Sequence, residues 1–244
     1  MAGHDTRLHA LGVAGAPARG RLTTCFRFAD GLVIDTGALM HGLSPTEQGA
    51  VQDILLSHSH LDHTLGLPFR LAGGEVRVWG LAETLDAVRG GLLDGRTWPD
   101  LSGRATWNEV AEGDAFEVGS YRIRPGPCRH SVPCLSFCVE RDGRRVVLVG
   151  DTARHDPLIE WTAACRPTSV VVECSFPARR RRDALRTCHQ SPEDLHAWRR
   201  GLGPDVALYV THLKPEDEEE TRRECEALAD PALTVLRDGD AFGF

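Results

Sequence analysis

Three histidines and an aspartate stand within six positions of the stretch LSHSHLDHTLG, residues 56–66. Imidazoles this close together repel one another when protonated, so they must stay neutral or bind something. Neutral imidazole and carboxylate groups are common ligands of Zn²⁺, and Mn²⁺ and Fe ions also accept them. The stretch therefore predicts a metal site. Its candidate ligands are His58, His60, Asp62 and His63.

Further polar residues stand where apolar, strand-like segments end, a position at which sheet proteins often carry functional groups. A single histidine after a strand is usually only hydrogen-bonded. Three such strand ends, together with the upstream cluster, indicate one shared metal centre instead. The residues are His130 after RPGPCR, Asp151 after VVLVG and His212 after ALYVT, and Glu173 in VVVEC is a fourth polar residue at a strand end.

The elements that must position these residues alternate between strands and helices. The apolar run QDILLSHSH ends abruptly in polar residues, as a buried strand does at its carboxyl end. The segment SPEDLHAWRRGLG has Ser191 before Pro192 and acidic residues, which is typical of a helix start. Residues 92–108 are predicted to form a loop or a lid, and TVLRDGDAF is predicted to form a final pair of strands. Without a linker or a repeat, we expect one α/β domain over residues 1–244, with two mixed sheets between outer helices.

Composition and charge exclude some classes of function and favour others. The 244 residues carry a net charge of −7, which gives no global electrostatic reason to bind nucleic acid or a membrane. No apolar run is long enough to span a membrane, and the N-terminal stretch does not resemble a signal peptide. The eight cysteines include no Cys-x-x-Cys pair, so we expect reduced thiols in a cytoplasmic protein. The oligomeric state stays open, with a homodimer among the alternatives.

The chain resembles the metallo-β-lactamase superfamily in the order and approximate spacing of HSHLDH, His130, GDT and His212. This resemblance implies a four-layer αβ/βα sandwich of two mixed β-sheets. It also implies a hydrolase with two divalent metal ions, first of all Zn²⁺, with Mn²⁺ or Fe as alternatives. The ligands that it implies are His58, His60 and His130 for one ion, Asp62, His63 and His212 for the other, and Asp151 as a bridge between them.

Four stretches resemble class II cyclic-nucleotide phosphodiesterases within that superfamily: HSHLDHTLGLP, VVECSFP, HQSPEDL and THLKPED. The spacing of Glu173 and His189 also resembles the Glu–His element of tRNA 3′-end-processing endoribonucleases. The resemblance implies that Asp62 orients or deprotonates the attacking water, and that His189, held by Glu173, protonates the leaving oxygen. The chain departs from the class II pattern at Thr64, where an aliphatic residue is usual, and at Cys188, where Gly is common.

Hydrolysis of a small phosphodiester, first of all a 3′,5′-cyclic nucleotide, is the leading functional prediction. RNA 3′-end processing is an alternative, although the chain is acidic and has no Gly/Pro-rich arm to grip tRNA. Ester, thioester or lactone hydrolysis and a metal-loaded binding protein are further alternatives, because a fold alone does not select a substrate. Two local alternatives also stay open. The first is whether Glu173 pairs with His189 or with a guanidinium of Arg179–Arg182. The second is whether Arg179–Arg182 binds substrate phosphate or forms a solvated loop.

Overall fold

The structure, a computed structural model, describes residues 7–244, so residues 1–6 of the predicted domain lie outside the described part. Within the described residues the strands form two seven-stranded sheets. The first sheet contains β1 (Arg7–Gly12), β2 (Cys25–Phe28), β3 (Leu32–Ile34), β4 (Asp53–Leu55), β5 (Val76–Gly80), β6 (Ala105–Glu109) and β14 (Ala241–Gly243). The second contains β7 (Phe116–Val118), β8 (Tyr121–Pro127), β9 (Leu135–Arg141), β10 (Arg144–Leu148), β11 (Ser169–Glu173), β12 (Ala207–Thr211) and β13 (Leu233–Val235).

The two sheets share one plan. Their strand orders are β14-β1-β2-β3-β4-β5-β6 and β13-β12-β11-β10-β9-β8-β7. In the first sheet the pairings from β14 to β3 are antiparallel and those from β3 to β6 are parallel. In the second sheet the pairings from β7 to β10 are antiparallel and those from β10 to β13 are parallel. Each sheet therefore presents a set of parallel carboxyl ends, where functional groups of such sheets gather.

Helices cover the outer faces of the sheets. The helix at SPEDLHAWRRGLG starts where the sequence predicts, because the Asp194 carboxylate accepts from the Ser191 N–H at 3.1 Å and Pro192 is the first helical residue. No helix within residues 7–244 combines the length and the apolar character needed to cross a membrane. The helices are α1 (Leu39–Gly42), α2 (Pro45–Ala50), α3 (Leu61–Thr64), α4 (Leu67–Ala72), α5 (Ala82–Gly91), α6 (Asp156–Cys165), α7 (Arg181–Arg186), α8 (Pro192–Leu202) and α9 (Glu218–Glu226).

Alternating side chains divide the apolar interior into layers. In β11, Val171 joins the core between the two sheets, whereas Val170 and Val172 join the core between the second sheet and its helices. The strand period of two residues produces this division, and both faces of β11 are covered, which explains its continuous apolar sequence. A third core lies between the first sheet and its helices. The predicted four-layer αβ/βα sandwich is confirmed.

Two predictions about individual elements were wrong. TVLRDGDAF does not form a strand pair, because β13 pairs with β12 in the second sheet and β14 pairs with β1 in the first. Residues 92–108 are not all loop, because Ala105–Glu109 is the edge strand β6, and Trp98 packs on Phe69 with ring centroids 4.7 Å apart. Because β6 is parallel to β5, the residues that precede β6 lie at the amino ends of these strands. The candidate ligands follow the carboxyl ends, on the opposite side of the sheet. Residues 92–108 therefore do not form a lid over the candidate ligands.

Candidate metal centre

The HSHLDH stretch follows β4 and turns at once into the short helix α3. His60 is the residue before the first helical position, and Thr64 Oγ1 donates to its carbonyl at 3.0 Å. Strand alternation alone would send neighbouring side chains to opposite faces. The helical turn solves this problem, because it brings Asp62 and His63 back beside the other ligand histidines.

The second sheet contributes three candidate ligands from the segments that follow β8, β10 and β12: His130, Asp151 and His212. His212 has φ 66°, a left-handed conformation that turns its side chain out of the line of β12. Its N–H donates to the Val13 carbonyl at 2.6 Å. A Cβ at Gly15 would lie 2.5 Å from the His212 carbonyl oxygen, so only glycine fits there. The segment after β1 therefore holds His212 in place.

The candidate ligand atoms gather around the Asp151 carboxylate. Asp151 Oδ2 lies 3.2 Å from His212 Nε2, 3.4 Å from His63 Nε2 and 3.8 Å from His58 Nε2. Within each group the possible ligand atoms lie no more than 4.8 Å from one another. Two of the three groups contain the same residues as the two ligand sets that the family resemblance implies, and the third includes His189, which is outside those sets. The groups are His58, His60, His130 and Asp151, then Asp62, His63 and His212, with a third formed by Asp151, His189 and His212.

Four of these imidazoles are held through Nδ1, which leaves Nε2 facing the centre. Ligand histidines in metal sites are commonly fixed in this way by a partner on the second ring nitrogen. His58 Nε2 is buried and has no hydrogen-bond partner among the described residues, which is costly unless a ligand supplies one. The donor set therefore fits divalent cations. The Nδ1 contacts are His58 to Ser57 Oγ (3.0 Å), His63 to Asp35 Oδ2 (2.7 Å), His130 to Cys188 O (3.2 Å) and His212 to Ser175 Oγ (2.9 Å).

Burial and charge set the protonation of the ligand rings. Burial lowers the pKa of His58 and of His212, so both rings stay neutral at physiological pH and keep a lone pair. Burial acts in the same direction on His63, but the carboxylates of Asp151 and Asp35 outweigh it and raise the pKa of His63 well above its usual value. A cation bound at His63 would therefore displace a proton.

Glu173 and His189 form a pair beside the ligand cluster. Glu173 is the last residue of β11, and its Oε1 accepts from His189 Nδ1 at 3.0 Å. The His189 ring lies 5.1 Å from that of His130 and 5.2 Å from that of His212. Burial disfavours protonation of His189, but the charge of Glu173 and its hydrogen bond raise the pKa of His189. The alternative in which Glu173 pairs with Arg179–Arg182 is wrong.

The run Arg179–Arg182 belongs to a 3₁₀ turn and to the start of α7. Arg180 Nη1 lies 2.6 Å from Asp217 Oδ2, and Arg181 Nη2 lies 3.0 Å from Asp194 Oδ1. These ion pairs connect the run to α8 and to the 3₁₀ turn Pro215–Asp217 that precedes α9. The solvated-loop interpretation is therefore wrong for Arg180 and Arg181, and their guanidinium groups already have carboxylate partners.

Three buried residues behind the candidate ligands were not predicted from the sequence: Asp35, Ser57 and Ser175. Asp35 follows β3 in GLVIDT, so it carries the same signal, a polar residue after an apolar strand, that identified Asp151. The two serines carry no comparable signal, because a single serine near a strand end is common in any fold. Their contacts with the ligand imidazoles are visible only in three dimensions.

Comparison with known proteins identifies the family. The family model of the β-lactamase superfamily domain matches residues 32–213, from β3 to just beyond His212. The chain therefore belongs to the β-lactamase superfamily. Ribonuclease BN of Enterobacter sp. (strain 638) is 26% identical over 124 residues, and the matched part covers 46% of this chain but only 40% of that relative.

Two solved structures have the same fold over nearly their whole length. YhfI of Bacillus subtilis, a metallo-β-lactamase fold protein, gives a TM-score of 0.79 at 18% identity and covers 97% of this chain and 98% of its own. Unliganded yeast PDE1 gives a TM-score of 0.79 at 17% identity and covers 98% and 99%. The predicted fold is confirmed, and the match to the family model confirms the predicted superfamily.

Proposed function

We propose that this protein is a dinuclear metal-dependent phosphodiesterase that hydrolyses a small phosphodiester, with a 3′,5′-cyclic nucleotide as the first candidate. The observation that carries this proposal is the Glu173–His189 pair, because it lies against the ligand cluster and offers a proton to a leaving group. The similarity to yeast PDE1 is in keeping with this choice.

Metal binding is part of the proposal. Two divalent cations, first of all Zn²⁺, would supply Lewis acidity that activates water and neutralises charge on the phosphoryl group. Mn²⁺ or Fe suits the same imidazole and carboxylate donors. We assign His58, His60 and His130 to one cation, Asp62, His63 and His212 to the other, and Asp151 to both.

Asp62 has the position of a residue that orients the attacking water or takes its proton. Its side chain is 19% exposed, against 4% for Asp151. A water molecule can therefore reach Asp62 from the solvent side, whereas Asp151 is enclosed by histidines. Removal of that proton increases the nucleophilicity of the water towards phosphorus.

His189 has the position of the general acid. Cleavage of a cyclic nucleotide releases the 3′-oxygen as an alkoxide, a poor leaving group that needs a proton. Thioesters and activated esters release better leaving groups and need less help. A buried Glu–His pair beside the ligands therefore favours phosphodiester over thioester or ester chemistry.

The test compares two phosphodiesters in zinc-loaded protein. With cyclic AMP, His189→Ala is expected to lower kcat/KM by about 10²–10⁴-fold, the usual contribution of a general acid. With bis(p-nitrophenyl) phosphate the loss is expected to be much smaller, because nitrophenolate leaves without a proton. His196→Ala is the matched control, since His196 is an exposed histidine of α8.

Three results would redirect the proposal. If the zinc-loaded protein cleaves neither substrate, the phosphodiesterase proposal is wrong. If His189→Ala keeps the wild-type rate on cyclic AMP, the general-acid assignment is wrong, and ester or lactone substrates become the better candidates. If precursor tRNA is trimmed at its 3′ end while cyclic AMP is not cleaved, the second candidate, an RNA-processing endoribonuclease, replaces the first. The partial similarity to ribonuclease BN is the reason to include this arm.

A further inference from the structure

Glu173 connects two histidines to which we assign different tasks. Its Oε1 accepts from His189 Nδ1 at 3.0 Å, and its Oε2 accepts from Ser175 Oγ at 2.9 Å. Ser175 Oγ also lies 2.9 Å from Nδ1 of His212. All four side chains are buried. One continuous hydrogen-bonded chain therefore runs from a candidate metal ligand to the candidate general acid.

The direction of each hydrogen bond in this chain follows from proton counting. An ionised carboxylate only accepts, and a serine hydroxyl has one proton to donate. Ser175 therefore donates to Glu173, and the Nδ1–H of His212 donates to Ser175. This tautomer leaves the lone pair on His212 Nε2, the atom that faces Asp151 at 3.2 Å.

The Glu173 carboxylate has little freedom to move. In addition to His189 and Ser175, it accepts from the backbone N–H of Gln190 at 3.2 Å and of Thr152 at 3.3 Å. Three of these four donors contact Oε1, and Ser175 is the donor to Oε2. Because Glu173 is fully buried and these contacts together fix its position, a change at one contact is expected to alter the others.

We propose that Ser175 is a positioning residue that couples metal binding by His212 to the placement of His189 through Glu173. The coupling rests on the ligand and general-acid roles of the proposed function. When His212 binds a cation through Nε2, its Nδ1–H becomes a stronger donor to Ser175, and linked hydrogen bonds strengthen one another. Coupling between binding and structure is reciprocal, so a weaker Ser175–Glu173 contact must also weaken metal binding.

The other buried serine provides an internal comparison. Ser57 Oγ lies 3.0 Å from His58 Nδ1 and donates to Asp35 Oδ2 at 2.7 Å. Asp35 Oδ2 also accepts from Nδ1 of His63, which is another candidate ligand. Ser57 therefore joins ligands only to each other, and its removal is expected to weaken metal binding without an effect on His189.

The test is a double-mutant cycle on zinc affinity, measured by competition with a chromogenic chelator. Ser175→Ala and Glu173→Gln are each expected to weaken zinc binding by about 10–100-fold, as loss of a hydrogen-bond partner behind a ligand does. The double variant is expected to bind no more weakly than the weaker single variant. Ser169→Ala is the control, because Ser169 is a buried serine of β11, the strand that ends at Glu173, and its hydroxyl has no hydrogen-bond partner among the described residues.

A second measurement follows His189 directly by NMR. Its Nδ1 proton resonance is expected to shift by a similar amount when zinc is added to the wild type and to the Ser57→Ala variant, and to shift less in Ser175→Ala. Ser175→Cys, which keeps a side chain of similar shape with a weak donor, is expected to show an intermediate shift, and it replaces the alanine variant if that variant fails to fold.

The proposal is overturned by wild-type zinc affinity in folded Ser175→Ala or Ser175→Cys. It is also overturned if the losses from Ser175→Ala and Glu173→Gln multiply in the double variant, or if the His189 proton responds to zinc equally without the serine hydroxyl. None of these measurements uses a substrate. A failure of the coupling is therefore distinguishable from a failure of the phosphodiesterase proposal, which the cyclic AMP rates test.

Discussion

Replacement of Asp35 by asparagine changes one atom of the carboxylate that lies behind two candidate ligands. Asp35 accepts from His63 Nδ1 at 2.7 Å, and from the Oγ and backbone N–H of Ser57 at 2.7 and 2.8 Å. The backbone of Asp35 has φ 56°, a left-handed conformation that asparagine tolerates as well as aspartate does. The substitution therefore tests the hydrogen bonds without added backbone strain.

The magnitude follows from the contacts that an amide cannot make. If the remaining oxygen of the new side chain faces the Ser57 N–H, its NH₂ group meets two donors, the Ser57 hydroxyl and His63 Nδ1. His63 can then accept only as the other tautomer, which places a proton on Nε2 and blocks the ligand lone pair. We expect zinc affinity to fall by about 10–100-fold, which corresponds to about 1.4–2.7 kcal/mol.

The assay is chelator competition for zinc by folded Asp35→Asn protein. The control is Asp53→Asn, because Asp53 is the first residue of β4 and the candidate ligands follow the carboxyl end of that strand. Asp53 is also buried, and its two oxygens lie 2.6 Å from Arg77 Nε and Nη2. This control is expected to lower the free energy of unfolding while zinc affinity stays within about twofold. Wild-type zinc affinity in Asp35→Asn, or an equal loss in Asp53→Asn, would refute the reasoning.

Three further predictions concern stability. Cys188→Gly is expected to raise the free energy of unfolding by about 1 kcal/mol, because Cys188 has φ 59° and glycine adopts this conformation without the cost of a Cβ. Trp198→Phe is expected to lower it by about 1–3 kcal/mol, because the indole N–H donates to the buried Gln190 Oε1 at 2.8 Å. Urea unfolding measures both. Removal of zinc by a chelator is expected to lower the thermal midpoint, by an amount equivalent to about 2.7 kcal/mol when free zinc had been 100 times its Kd.

Each of these predictions has a contradicting result. A less stable Cys188→Gly protein would mean that the cysteine side chain contributes more than its backbone conformation costs. An unchanged Trp198→Phe protein would mean that another donor satisfies Gln190. An unchanged midpoint after chelation, in a protein shown to have released zinc, would mean that the unfolded chain binds the ion equally well.

Part of the fold could be predicted from local pattern. Long apolar runs such as VVLVG and SVVVE identified buried strands, because those runs stay apolar on both faces. The short strands at the sheet edges were harder. TVLRDGDAF contains two strands close in sequence, but no local property of β13 or β14 states that they enter different sheets. Ala105–Glu109, with the sequence ATWNE, does not alternate cleanly, because an edge strand is only partly covered.

The ligand set and the Glu173–His189 pair came from motif order, since few residue types bind metals and their spacing is restrictive. Residues that support the ligands were less visible. Asp35 could have been found, because a charged residue after an apolar strand is unusual. Ser57 and Ser175 could not, because their importance lies in distances to His58 and His212 that depend on how two sheets meet.

The origin of the ligands in both sheets affects how the protein opens. His58 and His63 follow a strand of the first sheet, whereas Asp151 and His212 follow strands of the second, and an apolar core lies between these sheets. Any fluctuation that separates the two sheets also moves the candidate ligand atoms apart. An ion bound by these atoms would therefore oppose the separation of the sheets. Release of such an ion and amide hydrogen exchange in the inter-sheet strands are then two observations of one opening event.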